Sequence, residues 1–370
     1  VRVLFTAPAS VGHIFPLVPA AQALRAAGHD VLFAGQTPIE QLRSTGLPAV
    51  DVGDGTDVRA AFARVLPDVQ FADDERPDDE TMALAARGFA EHGRVTIDGL
   101  LAVAARWRPD VLVHAPFQAA GPLVAAKLGI PAVVHNFGVS TGGMPGLLAE
   151  LLADEYRAHG LEGLAESTVL DVVPASLGGD GGGWRVRYVP FNGGGTVPAD
   201  LTGRGGRRRI AVTLGTVVTE WEGVGHVKRL LEQAAGLDAD VLLAVGDADL
   251  APLGELPANV QPLPWVPLAQ LLGACDAVVH HGGSGTMMTA AALGVPQLIL
   301  PHGADHFINV AAAETYGFAL RSTAEAVDAD LLDRLLTGEA LRKSAGAMRA
   351  EIEAMPSPAE LVANFESLLA

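Results

Sequence analysis

The sequence predicts an α/β protein built from two doubly wound parallel sheets. Three observations carry this. Short, nearly continuous apolar runs recur along the chain, as strands buried on both faces require. Ala- and Leu-rich stretches of helical length, such as "PLVPAAQALRAAGH" at 16–29, separate them. The alternation stops near Pro190 and restarts at Arg209, so it is made of two similar halves.

Taken in order, the first half opens with "VRVLFT" at 1–6, then "DVLFAG" at 30–35, "DVLVHA" at 110–115 and "PAVVHN" at 131–136. The opening run carries one charge and is too short for a secretory leader followed by a span, so a buried strand is expected. The second half carries "RIAVTLG" at 209–215, "DVLLAVG" at 240–246, "AVVHHGG" at 277–283 and "PQLILP" at 296–301. Between the halves, "PFNGGGTVPADLTGRGGRRR" is rich in Gly, Pro and Arg and reads as a linker. After Met355, "PSP" leads into an amphipathic segment, "AELVANFESLLA", expected to return to the first half as a helix. The expected organisation is therefore 1–190, a linker at 191–208, a second domain at 209–354 and a returning helix at 355–370. Two Rossmann-like domains facing across a cleft would place ligands at the carboxyl ends of the strands. The acidic stretch "FADDERPDDE" at 71–80 lacks apolar periodicity and reads as a solvated loop, with or without a role in a pocket.

Composition narrows the function classes. With 43 acidic against 25 basic residues the formal net charge is −18, which argues against nucleic acid as the main partner. An anionic ligand must then be held by local devices against the global field. One cysteine, Cys275, excludes an intrachain disulfide and a cysteine metal cage. No stretch reaches the roughly 18 apolar residues needed to cross a bilayer. A soluble protein of a reducing cytoplasm is the expectation; a homodimer is left open.

The most informative short motif is "HHGGSGT" at 280–286, between a buried run and "MMTAAALG". Such a turn aims backbone N–H groups and a helix dipole at one point, and absent Cβ atoms let a diphosphate come close. A plain strand-to-helix turn with glycines for geometry fits equally well. The loop is neither a Walker lysine loop nor the dinucleotide G-x-G-x-x-G. "DAD" triplets at 238–240, 247–249 and 328–330 suggest a metal only weakly, since Asp is abundant here.

A wider window is more specific. Residues 263–309 read "LPWVPLAQLLGACDAVVHHGGSGTMMTAAALGVPQLILPHGADHFIN". This resembles the donor signature of GT-B glycosyltransferases, in particular the actinomycete enzymes that attach deoxysugars to antibiotic aglycones. The family pattern of W-x-P, H-x-G-x-x-[ST], G-V-P and a D-Q pair stands here as Trp265–Pro267, His281–Thr286, Gly294–Pro296 and Asp305–His306. The likeness covers nearly the whole chain. It implies a metal-independent enzyme without a resident cofactor, taking a dTDP- or UDP-sugar, most aptly a dTDP-deoxysugar, and an apolar aglycone. The first domain would hold the acceptor and the second the donor.

The resemblance also implies roles. Trp265, with Val266, would stack the base. His281, Gly283, Ser284, Gly285 and Thr286 would hold the diphosphate. Asp305 and His306 would meet the donor sugar, although the family has glutamine where His306 stands. Thr216 would touch the nucleotide or cap a helix. His13, in the loop "ASVGH", would be the general base of an inverting displacement. The carboxylate that usually supports this base falls at Ala115, so the dyad is incomplete. Three rivals stay open: an epimerase of the same fold, a degenerate auxiliary homologue and, on the weakest grounds, an NAD dehydrogenase.

Overall fold

The computed structural model describes residues 1–67, 78–139, 143–179, 182–215, 223–303 and 305–369, with backbone only for 78–79. Its contacts divide the chain into two units, Val1–Arg187 with Met355–Ala370, and Tyr188–Ala354.

The first unit holds a seven-stranded parallel sheet: β1 Arg2–Thr6, β2 Asp30–Gly35, β3 Ala49–Asp51, β4 Val111–His114, β5 Ala132–His135, β6 Thr168–Asp171 and β7 Trp184–Arg185. The spatial order is β3-β2-β1-β4-β5-β6-β7. Thr6 at the end of β1 pairs with His114 at the end of β4. Val3, Leu4, Phe5, Val111, Leu112 and Val113 are all fully buried, which is why these runs carry no polar alternation. The order reverses between β1 and β4, so the segments leaving them diverge and open a crevice there. The predicted returning helix is Val362–Ser367, and Phe365 packs on Trp184 with ring centroids 5.1 Å apart. Arg187 N donates to Pro356 O at 2.8 Å where the chain re-enters this unit.

The second unit repeats the plan with β8 Arg208–Thr213, β9 Ala239–Ala244, β10 Val260–Leu263, β11 Ala277–His280, β12 Gln297–Ile299 and β13 Ala319–Arg321, ordered β10-β9-β8-β11-β12-β13. Here the reversal lies between β8 and β11, which run in register from Ile210↔Ala277 to Thr213↔His280. One core layer joins Ile210, Val212, Val241, Leu243, Ala277, Val279 and Leu298.

Three readings change in detail. His13 belongs to a short helix, Val11–Ile14, that runs through a 3-10 turn into the helix Val18–Ala26; Pro16 and Pro19 sit where their missing N–H costs nothing. The acidic stretch 71–80 falls mostly outside the described residues, and its last three residues already begin the helix Asp78–Arg94. The segment 191–208 packs within the second unit: Asn192 Oδ1 accepts from Ala269 N at 2.9 Å, and its side-chain amide donates to Thr289 Oγ1 at 3.4 Å.

Candidate functional site

In the first unit the crevice between β1 and β4 carries His13. Its half-buried ring lies 5.1 Å from the ring of Phe89, 5.1 Å from Phe117 and 5.2 Å from Phe137. Phe117 follows β4, Phe137 follows β5, and Phe89 comes from the helix Asp78–Arg94. Phe62 extends the group, 5.0 Å from Phe89. Sheet order assembles this aromatic group from positions 13, 62, 89, 117 and 137, so no sequence window announces it. Ala115 is fully buried, and its N–H donates to Thr6 O at 3.0 Å, which fixes it beside the end of β1. His114 is fully buried too, and burial pushes its pKa down to about 4. Asp110 lies at the other end of the sheet, where a carboxylate oxygen accepts from Arg2 N at 2.7 Å.

In the second unit the switch point is occupied by "HHGGSGT". His280 spends both ring nitrogens on structure: Nε2 pairs with Gln297 Oε1 at 2.8 Å, and Nδ1 accepts from Gly282 N at 3.1 Å. His281 is different. It is buried, and its Nδ1 has no hydrogen-bond partner among the described residues. Leaving such a buried group unmade costs about 1–3 kcal/mol. Two glycines make room for the ring. A Cβ on Gly215 (φ +67°) would lie 2.5 Å from His281 Cε1, and one on Gly283 would lie 2.5 Å from Nε2. Burial, then the neighbouring His306, His280, His302 and His226, hold the His281 pKa well below its ordinary value, so the ring is neutral near pH 7.

The helix Ser284–Leu293 starts three residues after this histidine, with Gly283 as its extended N-cap. The N–H groups of Ser284 and Gly285 have no carbonyl one turn earlier to bond, and Thr286 exposes part of its hydroxyl-bearing side chain beside them. A helix start of this kind has the geometry to accept an anion. The Ser284 hydroxyl itself is committed: it donates to Asp305 Oδ2 at 2.8 Å. Asn309, fully buried, donates to the same carboxylate oxygen at 2.9 Å and to Gly282 O at 2.9 Å. One carboxylate oxygen of Asp305 thus braces the loop, and only the other is left to meet a ligand. From the opposite side, the Tyr188 hydroxyl donates to Gly285 O at 3.2 Å. His306 packs against His281 with centroids 4.9 Å apart, and its Nδ1 accepts from His302 N at 3.3 Å.

Trp265 follows β10 and is 47% exposed, whereas Val266 beside it is buried. An indole this open is a surface for stacking rather than core filler. Thr216 lies outside the described residues. The structure therefore gathers His281, Gly283, Ser284, Gly285, Thr286, Asp305 and His306 at one switch point, with Trp265 two strands away from β8. Asn309, Gly215 and Tyr188 were not singled out in the sequence. Asn309 had a weak signal, standing four residues after Asp305 on one helical face.

In the "DAD" triplets, Asp238 and Asp240 pair with Arg207, Asp249 accepts from Ala251 N at 2.9 Å, and Asp328 caps the helix Ala329–Thr337. Among the described residues no cluster of three or more His, Cys, Asp or Glu is placed to hold a metal. No described helix is long and apolar enough to cross a membrane.

Two family models cover this architecture. The erythromycin biosynthesis protein CIII-like N-terminal domain matches residues 22–215, and the C-terminal domain of the same name matches residues 228–368. The chain belongs to the erythromycin biosynthesis protein CIII-like family. It is a nucleotide-sugar-dependent glycosyltransferase of the natural-product, GT-B class. Among relatives of this CIII-like enzyme, the elloramycin glycosyltransferase ElmGT of Streptomyces olivaceus is 39% identical, over 99% of this chain and 97% of its own. The crystal structure of the glycosyltransferase SnogD from Streptomyces nogalater superposes with a TM-score of 0.88 at 38% identity, covering 100% and 99% of the two chains. The glycosyltransferase SsfS6 of Streptomyces sp. SF2575, solved with thymidine diphosphate, gives 0.85 at 28% identity over 99% of each chain.

Proposed function

We propose that this CIII-like enzyme moves a deoxysugar from a dTDP-sugar to the hydroxyl of an apolar natural-product aglycone, inverting the anomeric carbon in one displacement. The observation that carries this reading is the contrast between the two switch points. One offers a braced, dipole-backed anion site with an unpartnered imidazole nitrogen; the other offers a histidine among phenyl rings. SsfS6 with its thymidine diphosphate supports the choice of nucleotide.

His13 takes the acceptor proton as the acceptor oxygen bonds to the anomeric carbon. The diphosphate leaves with the electrons of the old C–O bond. His281, Thr286 and the first N–H groups of the helix Ser284–Leu293 receive the growing charge. Trp265 and Val266 hold the base, while the free oxygen of Asp305 accepts from a sugar hydroxyl beside His306. Because His281 is neutral, it serves as a hydrogen-bond donor and not as a fixed cation. Phe89, Phe117 and Phe137 give the acceptor an apolar bed and exclude water from the base.

The test is a mass-spectrometric screen of nucleotide sugars against aglycones, with His13→Ala in parallel. Loss of most transfer, on the order of 100-fold or more, with unchanged dTDP affinity is expected. Full activity in His13→Ala would remove the base assignment. Donor binding without transfer to any aglycone would favour an auxiliary role instead.

A further inference from the structure

Within the second unit, the indole and the oriented N–H groups belong to different elements. Trp265 stands just before the helix Leu268–Gly273, and the N–H groups open the helix Ser284–Leu293. A ligand that stacks its base on one and sets its phosphates on the other needs the two at a fixed separation. A segment distant in sequence, 188–195, ties them together.

The helix Leu268–Gly273 follows Pro267, whose ring offers no capping atom, so its first N–H groups need an acceptor from outside. Asn192 Oδ1 fills that place from 77 residues away, accepting from Ala269 N at 2.9 Å. A backbone N–H only donates, so the amide oxygen must face Ala269 and the NH2 group must face the other way. There it donates to Thr289 Oγ1 at 3.4 Å. The fully buried Thr289 donates in turn to Gly285 O at 2.7 Å, one turn back at the helix start. The Tyr188 hydroxyl donates to the same carbonyl at 3.2 Å. Further along, the segment lies flush against the indole. A Cβ on Gly195 would sit 3.0 Å from Pro267 Cδ and 3.4 Å from Trp265 Cδ1. Asn192 is thus bonded to both elements, by opposite ends of one amide.

We infer that Asn192 is a positioning residue of the donor site, setting the span between the Trp265 face and the start of the helix Ser284–Leu293 to that of a nucleoside diphosphate. This rests on the reading of those two features as base and phosphate sites. Asn192 acts through Ala269 and Thr289, not by touching the nucleotide. When one ligand joins two sites, the second contact has an effective concentration set by how firmly their separation is held. Inorganic diphosphate fills one site and is indifferent to the span; dTDP fills both and is not.

The test is calorimetry on the full chain with dTDP and, separately, with inorganic diphosphate. Asn192→Ala should weaken dTDP on the order of 10-fold and change inorganic diphosphate by less than about 2-fold. Thr289→Val cuts the other end of the tie at nearly constant volume, while Tyr188 still holds Gly285 O, and should give the same split. Both changes break one connection, so the double variant should lose no more dTDP affinity than either single. Wild-type dTDP affinity in Asn192→Ala overturns the inference. So do an equal loss for both ligands, which is what mere support of the fold would give, and losses that add in the double variant. Should Asn192→Ala fail to fold, the split in Thr289→Val decides alone. Trp265→Ala separates the two claims. If it leaves dTDP affinity intact, the base reading fails. If it weakens dTDP while Asn192→Ala and Thr289→Val bind as wild type, only the inference fails.

Discussion

The two units solve one topological problem with opposite chemistry. Each is a parallel sheet whose order reverses once, and each sets a histidine just beyond a strand at the reversal. In the first unit that histidine is half-buried and walled by Phe89, Phe117 and Phe137. In the second it is buried among glycines and imidazoles, in a loop tied down by Asp305 and Asn309. The scaffold decides where a ligand meets the sheet, and side chains decide which ligand. Phenyl walls suit an apolar acceptor whose hydroxyl must lose a proton. Oriented amides at a helix start suit a leaving anion.

What the units share gives the largest expected effect, a fall in stability with acid. Burial holds His92, His114 and His135 in the first unit, and His280 in the second, at about 4. The unfolded chain, with ordinary imidazoles near 6.5, binds more protons between those values. Stability is therefore complete above pH 6.5 and falls as pH drops toward 4, each group costing on the order of 2–3 kcal/mol by then. Melting curves between pH 7 and 4.5 should show a steep drop in Tm. A flat Tm would mean that these rings are not buried neutral in either unit.

A smaller effect separates the units. Asn309→Leu strips Gly282 O and Asp305 of a buried donor, at about 1–3 kcal/mol for each group left unmade. Affinity for dTDP should fall roughly 10- to 100-fold, measured by calorimetry, while the environment of His13 stays as it was. Wild-type affinity would show that the brace is not what shapes the anion site. Trp265→Ala should cost about 1–3 kcal/mol of nucleotide binding and nothing in binding of inorganic diphosphate. Equal losses for both ligands would place the indole elsewhere than on the base.

Legibility differed between the two sites for a physical reason. The buried strands could be read because two-sided burial demands unbroken apolar runs, and "VRVLFT" and "RIAVTLG" supply them. The loop 280–286 could be read because strand end, loop and helix start are contiguous in the chain. Its brace could be read only in part: Asp305 belongs to the motif, but Asn309 acts through a carbonyl 27 residues away. The aromatic wall could not be read at all. Phe62, Phe89, Phe117 and Phe137 are ordinary core residues until β1, β4 and β5 align. Local chemistry is written locally, and a pocket assembled across a sheet is not.

The smallest prediction concerns that wall. Phe137→Leu keeps most of the buried volume, so stability should fall by less than about 1.5 kcal/mol. It removes the flat face set edge-on to His13, with an interplanar angle of 79°. The acceptor loses one apolar surface and the base one steric guide. kcat/KM for the acceptor should fall a few-fold while dTDP affinity is untouched, because no change reaches the braced loop of the second unit. A matching loss of dTDP affinity would break the division of labour between the units. A loss confined to the acceptor would sharpen it, making the phenyl wall a determinant of which aglycone is taken and leaving the choice of sugar to His306 and the free oxygen of Asp305.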